Sequence, residues 1–288
     1  MTAQLKPPFT YFGGKLSIAS QIADLLPRHE HYLEPFAGSL AVLLAKRPSS
    51  METVSDLDGD IVHFWRTLRD DPEGLERVCA LTPHSRAEYL DSYDMAGAEG
   101  LERARRIWVR LTQGRGGSMR RTGWRYYVNP RSSVTSMPDY LEAYTDRLAA
   151  AAARLAMVSL ECKPALELIA QYGQHDGCLI YADPPYLGST RNPRANRAGH
   201  GREYSAEMLT DDQHRELASA LLEARAAVVL SGYASPLYDE LYEGWHQHEI
   251  RVFNGNGTGD RSRTEVLWSN RPFPQPSLFD ELEVGAAP

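Results

Sequence analysis

Apolar residues recur along the first 71 positions in two alternating rhythms. Ile18, Ile22, Leu25 and Leu26 are spaced as one face of a helix, and Pro27 marks its stop. The following stretch HYLEPFAGS reads as an apolar strand that ends in a Gly-containing turn, and LAVLLAK reads as a buried helix. METVSDLDGD then gives a second strand ending in acids, with IVHFWRTLRDD as its helix. Strand–helix alternation of this kind predicts a parallel sheet covered by helices.

The rhythm breaks after Asp71. Residues 72–112 carry helical patterning, and residues 110–138 are loop-rich, basic and aromatic. Helix signals resume at Asp139 with an Ala-rich stretch running to Met157. Alternation then returns: GCLIYADPPY as a strong buried strand ending in a loop, TDDQHRELASALLEA as a helix, and AAVVLSGY as another strand. HQHEIRVF and TEVLWSN read as two strands around the turn NGNGTGDR. The pattern predicts a doubly wound α/β domain interrupted by a module larger than an ordinary connection. Residues 1–71 form its first part, 72–158 the inserted, largely helical module, 159–270 its second part, and 271–288 a tail whose prolines and small residues predict disorder.

Composition narrows the functional classes. The 288 residues are 42% hydrophobic and 24% charged, ordinary for a soluble globular protein. No apolar run is long enough for a transmembrane helix, and MTAQLKPPF lacks an apolar signal core, so a cytoplasmic location is expected. Cys79, Cys162 and Cys178 are odd in number and never arranged as CxxC, which argues against a disulfide framework and against a metal site. The net charge of −7 looks wrong for a nucleic-acid enzyme, but its distribution is uneven. Nine arginines and no acid lie between Arg103 and Pro138, and four more arginines without an acid lie between Leu187 and Arg202. That segregation marks Arg115, Arg120, Arg121, Arg125 and Arg191 as candidate DNA contacts. Trp124, Tyr126 and Tyr127 interleave with them, suited to base stacking or equally to a small local core.

Four short segments carry chemistry. Glu34-Pro35-Phe36-Ala37-Gly38-Ser39 ends the first strand, where a glycine lets a ligand approach the backbone. Asp56 ends the second strand, where an acid suits the hydroxyls of a ribose. Together they describe a pocket for an adenosine-containing cofactor, although each alone reads equally as an ordinary strand-to-helix turn. Asp183-Pro184-Pro185-Tyr186 directly follows the strand Leu179–Ala182. Its prolines deny two N–H donors and stiffen the turn. What remains is a rigid set of acceptors beside an aromatic face, as an exocyclic amine on a flat heterocycle requires. Tyr11-Phe12-Gly13-Gly14-Lys15 precedes the first helix, with paired glycines and one charge.

FGGK, EPFAGS, SDLD and DPPY, in that order, resemble the D12 class of amino-methyltransferases, which includes the Dam-type adenine methyltransferases. The resemblance runs on through YLGSTR, the helix carrying His214, SGY and TEVLWSN. It implies a Rossmann-like class I methyltransferase sheet, S-adenosyl-L-methionine as methyl donor, and an inserted target-recognition domain where the basic module lies. It implies that Tyr11, Lys15, Asp56 and Asp183 contact the cofactor and that Glu34, Pro35 and Gly38 cradle its methionine end, with Gly13, Gly14 and Phe36 in the same motifs. One position departs from the family pattern: Leu40 stands where a second glycine is common.

The activity so implied is site-specific methylation of adenine N6 in double-stranded DNA, with the base flipped out of the duplex and Asp183, Pro184, Pro185 and Tyr186 at the reacting amine. A companion nuclease of a restriction–modification pair stays open. N4-cytosine methylation is the nearer alternative, since acid-Pro-Pro-aromatic motifs serve both amines; Asp183 and the GGK segment favour adenine. A catalytically idle DNA-binding relative is the farther one, suggested by Leu40. The tail segment Gln275–Phe279 (QPSLF) resembles the peptides with which bacterial proteins hold the sliding clamp, and an apolar latch onto the protein's own core is the other reading.

Overall fold

The chain begins its regular structure with helix α1 (Ala19–Asp24) and strand β1 (His31–Glu34), followed by α2 (Ala41–Ala45), β2 (Met51–Ser55) and α3 (Gly59–Asp70). The computed structural model describes residues 4–129, 135–187, 208, 210–253 and 262–274. Arg191, the NGNGTGDR turn and Gln275–Phe279 lie outside the described residues. Next come α4 (Pro72–Ala80), α5 (Arg86–Asp91), α6 (Gly100–Gln113), α7 (Met137–Thr145), α8 (Leu148–Leu155), β3 (Ser159–Glu161) and α9 (Ala165–Tyr172). The last part holds β4 (Cys178–Ala182), α10 (Asp211–Leu222), β5 (Ala227–Gly232), α11 (Pro236–Leu241), β6 (His246–Phe253) and β7 (Ser262–Ser269).

The seven strands lie in the order β3-β2-β1-β4-β5-β7-β6. The first five are mutually parallel; β7 is antiparallel to both β5 and β6. This is a Rossmann-like doubly wound sheet with a reversed edge hairpin, as the sequence patterning predicts for all strands except β3. β3 is three residues long and half-exposed, too short to announce itself by alternation. Chain order reverses between β1 and β4, and ligands of open α/β sheets bind in the crevice at the carboxyl ends of such a pair.

Side chains alternate between two cores. Tyr32, Leu179, Tyr181 and Val229 face one, while Leu33, Ile180, Ala182 and Val228 face the other. The first core also holds Phe64 and Trp65 of α3, Leu75 of α4, Trp108 of α6 and Leu155 of α8. Residues 72–158 therefore bury their apolar faces in the same core as the first half of the sheet. The second core is closed by α9, α10 and α11 through Leu168, Leu217 and Tyr238.

The helical signals from Asp139 to Met157 resolve into two helices. The chain turns at Asp146 and Arg147, and α7 starts earlier, at a capping box in which Ser136 and Asp139 satisfy each other's backbone N–H groups. No helix among the described residues is long and apolar enough to cross a membrane. Among them no cluster of His, Cys, Asp and Glu could hold a metal ion.

Candidate active site

The turn after β1 is shaped by its contacts. Gly38 has φ +45°, and a Cβ there would meet the Tyr11 ring at 2.9 Å. Three hydrogen bonds fix it: Gly38 N–H donates to Asp56 at 2.8 Å, Ala37 N–H to the Ser55 carbonyl at 2.8 Å, and Trp65 Nε1–H to the Gly38 carbonyl at 3.0 Å. Leu40 follows at φ +55°, the one non-glycine residue described with positive φ, and is fully buried at the start of α2. The family's glycine preference at this position has its physical reason here, since a side chain in the left-handed region is strained.

The N-terminal segment folds over this turn. Gly14 N–H donates to the Tyr11 carbonyl at 2.9 Å, and a Cβ on Gly14 would come within 2.9 Å of that oxygen. The same segment is tied to the insertion: Phe12 N–H donates to the Gly117 carbonyl at 2.9 Å and Thr10 Oγ1 to the Leu111 carbonyl at 2.8 Å. Lys15 is thereby aimed inward with 4% exposure.

Asp183 follows β4 and meets that lysine. Lys15 Nζ donates to both Asp183 oxygens at 2.6 and 2.7 Å, to Tyr186 Oη at 2.6 Å and to the Gly13 carbonyl at 3.0 Å. Glu265 of β7 stands 3.6 Å from the same nitrogen, and Ser231 of β5 donates to it at 2.6 Å. The Tyr186 ring stacks on Tyr233 with centroids 4.4 Å apart. One buried cation thus serves two carboxylates, buried Glu265 and half-buried Asp183.

Titration behaviour follows from that arithmetic. Burial works to discharge Lys15, but Asp183 and Glu265 outweigh it and hold its pKa above the ordinary lysine range. Burial, opposed by Lys15 and reinforced by Glu265, pushes Asp183 up to about 6. Burial also lifts Asp56 to about 6 against the backbone N–H groups of Asp58 and Gly38, and lifts Glu34 to about 8 against the hydroxyl of Tyr32.

A cavity of about 220 Å³ joins these groups at the carboxyl ends of β1, β2 and β4. Tyr11, Gly13, Gly14, Lys15, Glu34, Pro35, Phe36, Gly38, Asp56 and Asp183 all line it, and Pro185 forms part of its wall. Sequence reasoning passed over Tyr181, whose buried hydroxyl has no hydrogen-bond partner among the described residues and which also lines the cavity. Its signal was parity: on a strand, residue 181 shares a face with residue 183. Glu265 and Ser231 were also missed, because pairing across β5 and β7 brings them in.

The basic stretch divides in two. Acids outside the counted stretch neutralise its helical part: Arg103 pairs with Asp60, and Arg105 with Glu88 and with Glu102 one turn before it. Arg106 pairs with Glu102, while Arg110 donates to the Ser92 carbonyl and lies near Asp60. Segregation along the chain did not mean segregation in space. The loop beyond, closed by a Gly114–Trp124 bridge, leaves Arg115 and Arg121 exposed and Arg120 half-buried. Arg125 is half-buried against the Tyr140 ring at 4.0 Å. Trp124 is stacked between His84 and Tyr126, at 4.5 and 5.3 Å, so it belongs to a local aromatic cluster. Tyr126 and Tyr127 remain 41% and 45% exposed.

Residues 11–107 match the family model described as D12 class N6 adenine-specific DNA methyltransferase. The chain is 27% identical over 286 residues to the type II methyltransferase M1.LlaDCHI of Lactococcus lactis subsp. cremoris, covering 91% of this chain and 95% of that one. It is 23% identical to the retron Ec67 DNA adenine methylase of Escherichia coli, with 88% of each chain covered. Identity to the DNA N-6-adenine-methyltransferase of Escherichia phage P1 is 24%, over 85% of this chain and 31% of that one. Both the glycine turn after β1 and the glycine–lysine segment fall inside the residues that match the D12 class model.

Proposed function

We propose that this protein transfers a methyl group from S-adenosyl-L-methionine to N6 of a flipped-out adenine in double-stranded DNA, with Asp183 as the acceptor at the reacting amine. One observation carries the reading. The half-buried carboxylate of Asp183, on a proline-stiffened turn beside the Tyr186 ring, borders the same cavity as the glycine turn and Asp56.

The residues fit the cofactor. Asp56 and Asp183 give the cavity negative charge at two strand ends, complementary to a cation, and the Gly38 and Gly14 approaches leave no room for side chains. The Tyr181 hydroxyl, unpartnered among the described residues, offers a polar contact at its floor. When bound, S-adenosyl-L-methionine supplies a methyl group on a positively charged sulfur. Asp56 would hold ribose hydroxyls, and Glu34, Pro35, Phe36 and Gly38 the methionine end.

The amine of adenine is a weak nucleophile because its lone pair is delocalised into the ring. Asp183 and the Pro184 carbonyl would accept its two N–H bonds, favour a more tetrahedral nitrogen and stabilise the positive charge developing there. Extruding the base costs a few kcal/mol. Stacking on Tyr186, whose hydroxyl is pinned by Lys15, returns about 1–3 kcal/mol. Exposed Arg115 and Arg121, with Arg120 and Arg125 behind them, would contact phosphates and base edges. Arg191 and the clamp-like peptide Gln275–Phe279 are assigned on sequence alone.

The test is to incubate purified protein with labelled cofactor and duplex DNA, then digest the product to nucleosides. N6-methyladenine is the expected product. N4-methylcytosine would transfer the mechanism to the other amine, and cofactor binding without transfer would indicate an idle relative.

A further inference from the structure

Lys15 is fully subscribed. An ammonium has three protons, and here they point to the Gly13 carbonyl, to Asp183 and to Tyr186 Oη. A carboxylate whose two oxygens both hold an ammonium, at 2.6 and 2.7 Å, keeps lone pairs for a second donor but offers them less charge, while the proposed chemistry asks Asp183 to stabilise a growing cation. Glu265 resolves the conflict. It is 2% exposed, its Oε1 lies 3.6 Å from Lys15 Nζ, and Ser231 pins that oxygen at 2.6 Å. Tyr186 Oη reaches both Glu265 oxygens at 3.3 Å, so the tyrosine touches lysine and glutamate together.

We propose that Glu265 is a positioning residue that takes Lys15 from Asp183 as the target amine arrives. A shift of Nζ by about 1 Å toward Glu265 brings it to charge-assisted hydrogen-bonding distance. An Asp183 oxygen is then released to the amine. Lys15 stays an ammonium throughout and passes no proton to either carboxylate; the proton that the methylated nitrogen sheds leaves by the released Asp183 oxygen to solvent. The net charge of the trio stays at −1 when both carboxylates are ionised, and opposes the positive charge growing on the methylated nitrogen. Among the described residues, the titratable groups facing this trio are Tyr181 and Tyr186 from β4 and its loop, Glu34 from β1 and Tyr238 from α11. The assignment rests on Asp183 being the acceptor for the amine.

The experiment compares wild type and Glu265→Gln, which keeps the shape and the Ser231 contact but removes the charge. In single-turnover methylation of duplex DNA, the Glu265→Gln rate should fall roughly 10- to 100-fold, the effect of a misplacement of about 1 Å. Its cofactor Kd should stay within about threefold of wild type. The acid limb of its rate–pH profile should move to lower pH, because the charge that helps keep a proton on Asp183 is gone. A lower melting temperature with an unaltered rate and acid limb would make Glu265 merely structural and overturn the assignment. Should Glu265→Gln not fold, Ser231→Ala unpins the carboxylate while keeping it, and the rate should fall several-fold at unchanged cofactor affinity; a wild-type rate there would overturn it equally. Wild type that makes no N6-methyladenine, or Asp183→Asn at full rate, would instead sink the underlying reading of Asp183.

Discussion

The carboxylate of Asp56 accepts the backbone N–H of Gly38 at 2.8 Å, tying the end of β2 to the turn that ends β1. Asp56 is therefore a candidate for two tasks, holding a ribose and holding the turn under it. Asp56→Ala should weaken S-adenosyl-L-methionine binding by about 1.5–3 kcal/mol, the worth of a hydrogen bond to a charged group, and weaken DNA binding less. Calorimetry with each ligand separates the two. Unchanged cofactor affinity would remove Asp56 from the site.

Asp183→Asn keeps the shape of the acceptor and removes its charge. Methyl transfer should fall roughly 10²–10³-fold, the typical effect of losing one preorganised electrostatic partner at a reacting atom. Cofactor binding and circular dichroism should persist. Near-normal turnover in a folded variant would contradict the mechanism.

Glu34 bears on stability as well as binding. Its pKa is pushed up to about 8 by burial, from an ordinary 4.5. A raised carboxyl pKa means the folded state prefers the protonated form. The stability this gives is complete below the unfolded pKa and is lost as pH rises through about 8. Glu34→Gln should therefore gain melting temperature relative to wild type as pH is raised from about 5 to about 9, while binding cofactor less well. A difference in melting temperature that does not vary with pH would show that Glu34 is not ionising in this window.

Leu40 sets two effects against each other. Its φ of +55° is strained for any side chain, yet its own side chain is fully buried. Truncation loses about 2–5 kcal/mol of packing, whereas glycine recovers roughly 1–2 kcal/mol of strain that alanine keeps. Both Leu40→Ala and Leu40→Gly should destabilise, but Gly by about 1 kcal/mol less, reversing the usual order of these residues in a helix. Denaturant unfolding of the three proteins decides this, and an alanine variant more stable than the glycine one would refute it.

Arg115 and Arg121 are the exposed cations of the basic loop. Replacing both by alanine should weaken DNA binding and lower the slope of log K against log salt by up to about 0.9 per lost phosphate contact. An unchanged slope would place them away from the backbone. If the slope holds but the methylated site becomes degenerate, they read bases.

The sheet and the cavity were legible because both rest on local signals. Strand periodicity, two glycine turns and acids at strand ends name residues that the fold brings to one crevice. What escaped depends on distant pairing. Glu265 reaches Lys15 only because β7 lies antiparallel to β5, and nothing near residue 265 in the chain announces that neighbour. Arg103, Arg105 and Arg106 looked unbalanced because Asp60, Glu88 and Glu102 lie outside the counted stretch. The break between α7 and α8 was hidden by good helix formers on both sides.

The hydrogen bond from Phe12 N–H to the Gly117 carbonyl, with Thr10 gripping Leu111, makes a mechanical strap between the loop that carries Arg115 and the segment that carries Lys15. Gly117 seals it, since a Cβ there would meet the Thr10 carbonyl at 2.7 Å. A duplex that presses on the loop pulls on the cofactor pocket through this strap, so the two ligands should sense each other. Linkage makes any such coupling reciprocal: DNA should change cofactor affinity by the same factor as cofactor changes DNA affinity. Titrating cofactor with and without duplex should reveal it. Gly117→Ala, which wedges the strap open, should bring the two affinities back to independence, whereas coupling that survives the wedge would have to travel by another route.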